Sequence, residues 1–160
     1  MFNNALLKQL AAELVRRNET VAVAESVTAG LLQAALASAE DATAFFQGGM
    51  TVYNITQKLR HLHIDPTNAI RCNCVSEDIA AQMATGILHN FGSHWGIGIT
   101  GYAVPIPGHD MHQLYACYAI AAKSGVVGQH TVYKEAAQPL DVQLFYVDNI
   151  LQSFEKILRR

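Results

Sequence analysis

The apolar positions of this chain change period several times, and each change marks an element. Leu6, Leu7, Leu10, Leu14 and Val15 fall at helical spacing behind Asn3 and Asn4, both good caps, which predicts an amphipathic helix over 4–17. Thr20 to Ala24 is a short β-branched run that stops at Glu25-Ser26. An Ala/Leu-rich segment from Val27 to Ala37 follows, so this stretch reads as strand, sharp turn and helix. Gly48-Gly49 opens a second strand-like run, Met50 to Tyr53. The more polar Thr56 to His63 reads as a short helix closed by Asp65-Pro66.

Ser76 suits the cap of the next helix, with Glu77 and Asp78 at its positive end, Ile79, Met83, Ile87 and Phe91 as its buried stripe and Gly92 as its stop. Trp95 to Ile99 reads as a buried strand running into Thr100-Gly101, and Val104 to Gly108 as a loop. Leu114 to Ala122 and Val126 to Tyr133 flank Lys123-Ser124-Gly125 as an antiparallel hairpin. Leu140, Leu144, Val147, Leu151, Phe154 and Leu158 make a 4-3-4-3-4 stripe on a long C-terminal helix. The pattern predicts an α/β fold, a three-layer α/β/α arrangement with a mixed sheet, in a single domain over 1–160.

Composition narrows the function. A chain of 160 residues, 51% apolar, can bury a core without disulfides or metal. Eleven basic against 13 acidic residues give a net charge of −2, and no block of like charge announces a nucleic-acid partner. The loose cluster of Lys58, Arg60, His61 and His63 reads as a solvated helix face. No run approaches the ~18 apolar residues of a membrane span, and no segment has the order of a signal peptide. With three cysteines, an odd number, a reducing cytoplasm is the expected compartment. Cys72-Asn73-Cys74 lacks the second pair of a structural zinc site.

Three segments place chemistry at strand ends. In Glu25-Ser26-Val27-Thr28-Ala29-Gly30, Ser26 stands at a predicted helix start, where free amides favour an anion; its hydroxyl is a nucleophile, a phosphate ligand or only an N-cap. In Tyr53-Asn54-Ile55-Thr56-Gln57-Lys58, a lysine in a dry cleft can act as a base and a tyrosine can donate to an oxyanion, although each taken singly reads as an exposed lysine and an edge aromatic. In Thr100-Gly101, the glycine lets backbone approach a ligand.

These segments together resemble the C-terminal domain of the CinA family, whose members typically read Ala-Glu-Ser-Cys-Thr-Gly-Gly, Gly-Gly followed by Tyr-Ser-Asn-x-x-Lys, Ala-Val-Ser-Glu and Thr-Gly-x-Ala-Gly-Pro. The matching positions are Glu25, Ser26, Thr28 and Gly30; Gly48 and Gly49; Tyr53, Asn54 and Lys58; Val75, Ser76 and Glu77; and Thr100, Gly101 and Pro105. The resemblance implies hydrolysis of the carboxamide of nicotinamide mononucleotide to the carboxylate and ammonia, with a small nucleotide as partner and without a redox or metal cofactor. It is compatible with a homo-oligomer. Carried over residue by residue, it implies Ser26 as nucleophile or orienting hydroxyl, Lys58 as base and Tyr53 as proton donor or oxyanion partner. Glu25, Thr28, Gly30, Gly49, Asn54, Thr100 and Gly101 would contact substrate.

The departures matter too. Val104-Pro105-Ile106-Pro107-Gly108 replaces a glycine-rich Gly-Pro-Gly-Gly stretch, Ala29 and Val27 replace a glycine and a cysteine, and no arginine occurs between Arg71 and Arg159. The family's arginine near the start of the last helix falls at Leu140 in a Gln138-Pro139-Leu140-Asp141 context. A phosphate would then depend on the helix start after Ser26, on Thr28, and on Lys58, His109, His112 or Lys134. These losses keep open a non-catalytic or altered-ligand homologue that binds another nucleotide or a protein.

Overall fold

Side-chain size differs between the two faces of the sheet, and that difference sets the layers. In the computed structural model, which describes residues 1–108 and 113–160, the strands are β1 (Val21–Glu25), β2 (Phe46–Thr51), β3 (Trp95–Gly101), β4 (Gln113–Ala122) and β5 (Gly125–Glu135). The helices are α1 (Asn4–Arg17), α2 (Leu31–Ala37), α3 (Ala42–Phe45), α4 (Ile55–Leu62), α5 (Pro66–Arg71), α6 (Glu77–Phe91) and α7 (Pro139–Leu158). One face carries Val21, Val23, Ile97, Ile99, Leu114 and Ile120, and it packs against Leu10 and Leu14 of α1, Leu32 of α2 and Ile150 and Phe154 of α7. The other carries alanines and glycines and packs against α6.

The small residues let α6 lie against the backbone of the sheet. A Cβ built on Gly96 would stand 2.1 Å from the Ala84 carbonyl oxygen, and one on Gly98 would stand 2.4 Å from that of Ala80. Neither position accepts a side chain without moving the helix. Ser76 caps α6, its hydroxyl accepting from the Ile79 amide at 3.1 Å, and Gly92 closes it at φ 59° in the left-handed region.

The sheet order is β2-β1-β3-β4-β5. β1 runs parallel to both β2 and β3, whereas β3–β4 and β4–β5 are antiparallel, so the sheet is mixed between helical layers, as the sequence predicts. The link from β1 to β2 passes over the α2 face, and the link from β2 to β3 passes over the α6 face. The chain therefore leaves the C-terminal ends of β1 and β2 in opposite directions, which opens a crevice there.

Four expectations need correction. The helix predicted from Val27 starts at Leu31, because residues 26–30 form a turn with Ala29 at φ 51° and Gly30 at φ 101°. The run read as starting at Met50 is already strand from Phe46, paired with β1 through Gly48 and Gly49. Asp65-Pro66 ends one helix and also starts another: the Asp65 carboxylate accepts from the Thr67 amide at 3.0 Å and Pro66 opens α5. In the last helix the buried stripe begins at Val142 and Tyr146, and Leu140 is 54% exposed. No helix of the described residues is long and apolar enough to cross a membrane.

Candidate active site

Glu25 and Ser26 are neighbours at the end of β1, and the structure gives them opposite duties. Glu25 is fully buried. Its carboxylate accepts from the amides of Gly30 at 3.1 Å, Leu32 at 2.9 Å and Gln33 at 2.8 Å, so it closes the N-terminus of α2. Those are the amides that the sequence reading left free for an anion. Glu25 is therefore a structural cap in place of a substrate contact, Ser26 is not an N-cap, and the start of α2 has no amide to offer a phosphate.

Ser26 is held between two strands. Its amide donates to the Ile99 carbonyl at 3.1 Å, and next to it the Val52 amide donates to the Glu25 carbonyl at 2.8 Å. These bonds extend the sheet by one residue and aim the hydroxyl past its edge. There it meets Lys58, whose Nζ donates to Ser26 Oγ at 2.9 Å and to the Val52 carbonyl at 2.9 Å.

Lys58 belongs to α4, which Asn54 caps by accepting from the Gln57 amide at 3.0 Å. The side chain is 2% exposed, so this residue leaves the solvated face on which the sequence reading put it with Arg60, His61 and His63. Burial lowers its pKa below the ordinary lysine range, with the nearby Cys74 thiol acting weakly in the other direction. Cys74 in turn has its pKa raised by burial, so near neutral pH it is a thiol and supplies no counter-charge.

Thr100 ends β3 nearby and is buried, its hydroxyl donating to the Cys74 carbonyl at 2.7 Å. Cys74 and the preceding Asn73 both stand in the left-handed region, at φ 60° and 50°. That turn carries the Cys74 carbonyl to Thr100 and the Asn73 side chain to Tyr102, on which its Nδ2 donates at 3.0 Å.

These groups open on one cavity of about 670 Å³, ample for a mononucleotide-sized ligand. Ser26, Tyr53, Asn54, Lys58, Thr100 and Gly101 all line it, although they come from segments as far apart as residues 26 and 101. Tyr53 stands at the mouth, 69% exposed. Four of the named contacts do not line it: Glu25, already described, and three more. Thr28 is fully buried and its hydroxyl has no partner among the described residues, a feature they do not explain. Gly30 donates its amide to Glu25. Gly49 packs under β1, where a Cβ would stand 2.4 Å from the Val23 carbonyl oxygen.

The cations named for a phosphate fare no better. Lys134 lies over the Phe145 ring, 5.1 Å from its centroid, and is not among the lining residues. Leu140 points to solvent, whereas Pro139 and Gln143 of the same helix reach the cavity. The stretch His109-Asp110-Met111-His112, read from sequence as turn polarity, lies outside the described residues.

Sequence reasoning missed Asn73, Cys74, Tyr102 and Gln143. Gln143 donates to the Val27 carbonyl at 2.8 Å and so ties α7 to the turn after Ser26. Only Asn73 carried a local signal, since asparagine tolerates the left-handed turn it occupies. Among the described residues no three His, Cys, Asp or Glu side chains gather as a metal site.

Comparison with known proteins agrees with this fold. The family model for the CinA C-terminal domain matches residues 3–157. A CinA-like protein of Prochlorococcus marinus is 30% identical over 158 residues, and one of Synechocystis is 44% identical over 94. The matched segments span 98% and 59% of this chain but only 37% and 23% of those longer relatives. Among solved structures, a competence or damage-inducible protein of Enterobacter asburiae superimposes with a TM-score of 0.86 at 27% identity, covering 99% of both chains. A CinA superfamily protein of Escherichia coli gives 0.82 at 27% identity, covering 98% of this chain and 90% of that one. The Ser26–Lys58 pair at the crossing of β1 and α4 thus sits on a shared fold, and the chain belongs to the CinA C-terminal domain family.

Proposed function

We propose that the cavity hydrolyses the carboxamide of a nicotinamide nucleotide, nicotinamide mononucleotide or a close relative, to the carboxylate and ammonia. The observation that carries this reading is the hydrogen bond of 2.9 Å between a buried lysine with a lowered pKa and a serine hydroxyl on the wall of a nucleotide-sized cavity. A lysine ammonium kept in apolar surroundings only to balance charge is costly, and among the described residues no carboxylate lines the cavity to balance.

In this reading neutral Lys58 takes the Ser26 proton while Oγ attacks the amide carbon. The Val52 carbonyl holds one Nζ–H, which turns the lone pair toward Ser26. The protonated amine then returns the proton to the departing nitrogen, the C–N bond breaks, and ammonia leaves an acyl ester on Ser26. Water, deprotonated by Lys58, cleaves that ester and releases the carboxylate. The amide of Val27, which lines the cavity, donates to no carbonyl or side chain among the described residues, which supports it as an oxyanion donor. Thr100 Oγ, its hydrogen bonded to the Cys74 carbonyl, keeps lone pairs for the substrate amide N–H, and Tyr53 at the mouth donates a hydrogen bond to the substrate without giving up its proton.

Incubation of the protein with nicotinamide mononucleotide and measurement of ammonia tests this. Release by the wild type, lost in Ser26→Ala, is expected. Equal release from Ser26→Ala removes the serine from the chemistry. No release from any nicotinamide carboxamide would favour a binding protein on the same fold.

A further inference from the structure

Tyr102 enters the cavity directly after Gly101, and its neighbours fix it from every side. Its amide donates to the Tyr115 carbonyl at 3.0 Å, and its own carbonyl accepts from Tyr146 Oη at 3.0 Å. Its hydroxyl accepts from Asn73 Nδ2 at 3.0 Å, and the Tyr115 ring meets it edge-on at 5.4 Å between centroids and 72° between planes. A wall residue so constrained has lost its freedom before any ligand arrives, which favours binding. Tyr53 lines the same cavity from the open side, and its hydroxyl bonds to no group among the described residues.

Two tyrosines on one cavity select by shape and by charge. A tyrosine face is flat and electron-rich, so it favours flat rings and, above all, flat cations. The described wall holds no carboxylate that would attract a cation by itself. Burial, which lowers the pKa of Lys58, disfavours its ammonium form and so weakens its repulsion of a cation. An N-substituted pyridinium carboxamide is flat and cationic. Its 1,4-dihydro form carries the same amide on a neutral ring that is no longer aromatic.

We propose that Tyr102 is the fixed wall on which the pyridinium ring of the substrate stacks, with Tyr53 on the solvent side, so that the site selects the oxidised ring over its dihydro form. This rests on the carboxamide reading above. Tyr102 is a specificity residue here and takes no part in proton transfer.

Calorimetric titration in a Ser26→Ala background, where the amide stays intact, measures it. Nicotinamide mononucleotide is expected to bind about tenfold or more tightly than its dihydro form. Tyr102→Leu in the same background should weaken the oxidised ligand by about tenfold and abolish the preference, whereas Tyr102→Phe should keep it. Equal binding of the two forms, binding of neither, or a preference that survives Tyr102→Leu overturns the proposal. Should Tyr102→Leu fail to fold, the comparison of the two ligands decides together with Tyr102→Phe, in which loss of the preference would also overturn it. Ring preference without ammonia release by the wild type would refute the hydrolase alone, and ammonia release without ring preference would refute this inference alone.

Discussion

Strands β1 and β3 carry polar residues at both ends, yet only their C-terminal ends border the cavity of about 670 Å³. At the N-terminal ends polar groups pair with one another. The Thr20 amide donates to His94 Nδ1 at 3.1 Å, the Trp95 indole donates to Glu19 at 2.7 Å, and the Ser93 hydroxyl donates to the Trp95 carbonyl at 2.8 Å. At the C-terminal ends, Ser26, Lys58 and Thr100 are buried in the same way but border an open cavity. Burial alone therefore does not mark a site. What distinguishes the second end is a buried lysine hydrogen-bonded to a hydroxyl, with no carboxylate among the described residues that line its cavity, where the chain leaves neighbouring strands in opposite directions.

The largest effect should come from breaking the C-terminal end. Lys58→Arg keeps a cation but removes the base, since arginine stays protonated, and ammonia release should fall at least about a hundredfold while circular dichroism shows a folded protein. Wild-type rates in this variant would reduce Lys58 to a packing residue. Next comes Glu25→Gln, which tests whether this end needs its cap. An amide in place of a carboxylate leaves one α2 amide facing an NH2 group in a buried site, so stability to urea should drop by roughly 2 kcal/mol or more. A change within error would show that the turn after Ser26 holds by itself.

The pH dependence of stability sharpens the comparison further. The folded-state pKa of Lys58 lies below its unfolded value, so between the two the unfolded chain binds more protons and stability rises with pH. Below the folded value both states are charged, and this contribution to the slope vanishes with the full penalty of burial in place. Lys58→Met should lack this rise, which paired urea titrations across that window would reveal; parallel curves would mean that Lys58 titrates normally. The smallest effect is expected at the other end: His94→Ala should cost about 1 kcal/mol and leave ammonia release unchanged.

Much of the fold was legible because its signals are local. Asn3, Ser76 and Gly92 bound their helices as their side chains or lack of one dictate, and the hairpin of β4 and β5 follows from two apolar runs around Lys123-Ser124. The site was legible only in part. Ser26, Tyr53, Lys58 and Thr100 were found through the family's motifs, but the burial of Lys58 depends on α4 turning its side chain under Ser26, which no local pattern of a polar helix reveals. Glu25 was misassigned for a related reason. A carboxylate beside a candidate nucleophile looks like chemistry in sequence, and only the left-handed turn at Ala29-Gly30 brings three amides onto it. Tyr102 and Gln143 reach the cavity by tertiary placement alone.

Whether Ser26 can be activated depends on the charge state of Lys58, which can be observed directly. Carbon-13 labelling at the lysine ε position, with the Lys58 resonance assigned by comparison with Lys58→Met, gives its titration by nuclear magnetic resonance. The structure predicts a midpoint below the ordinary lysine range, coinciding with the pH at which kcat/KM for ammonia release rises to half its plateau. A midpoint within the ordinary lysine range, or a rate profile that ignores it, would contradict the assignment of Lys58 as the base that activates Ser26.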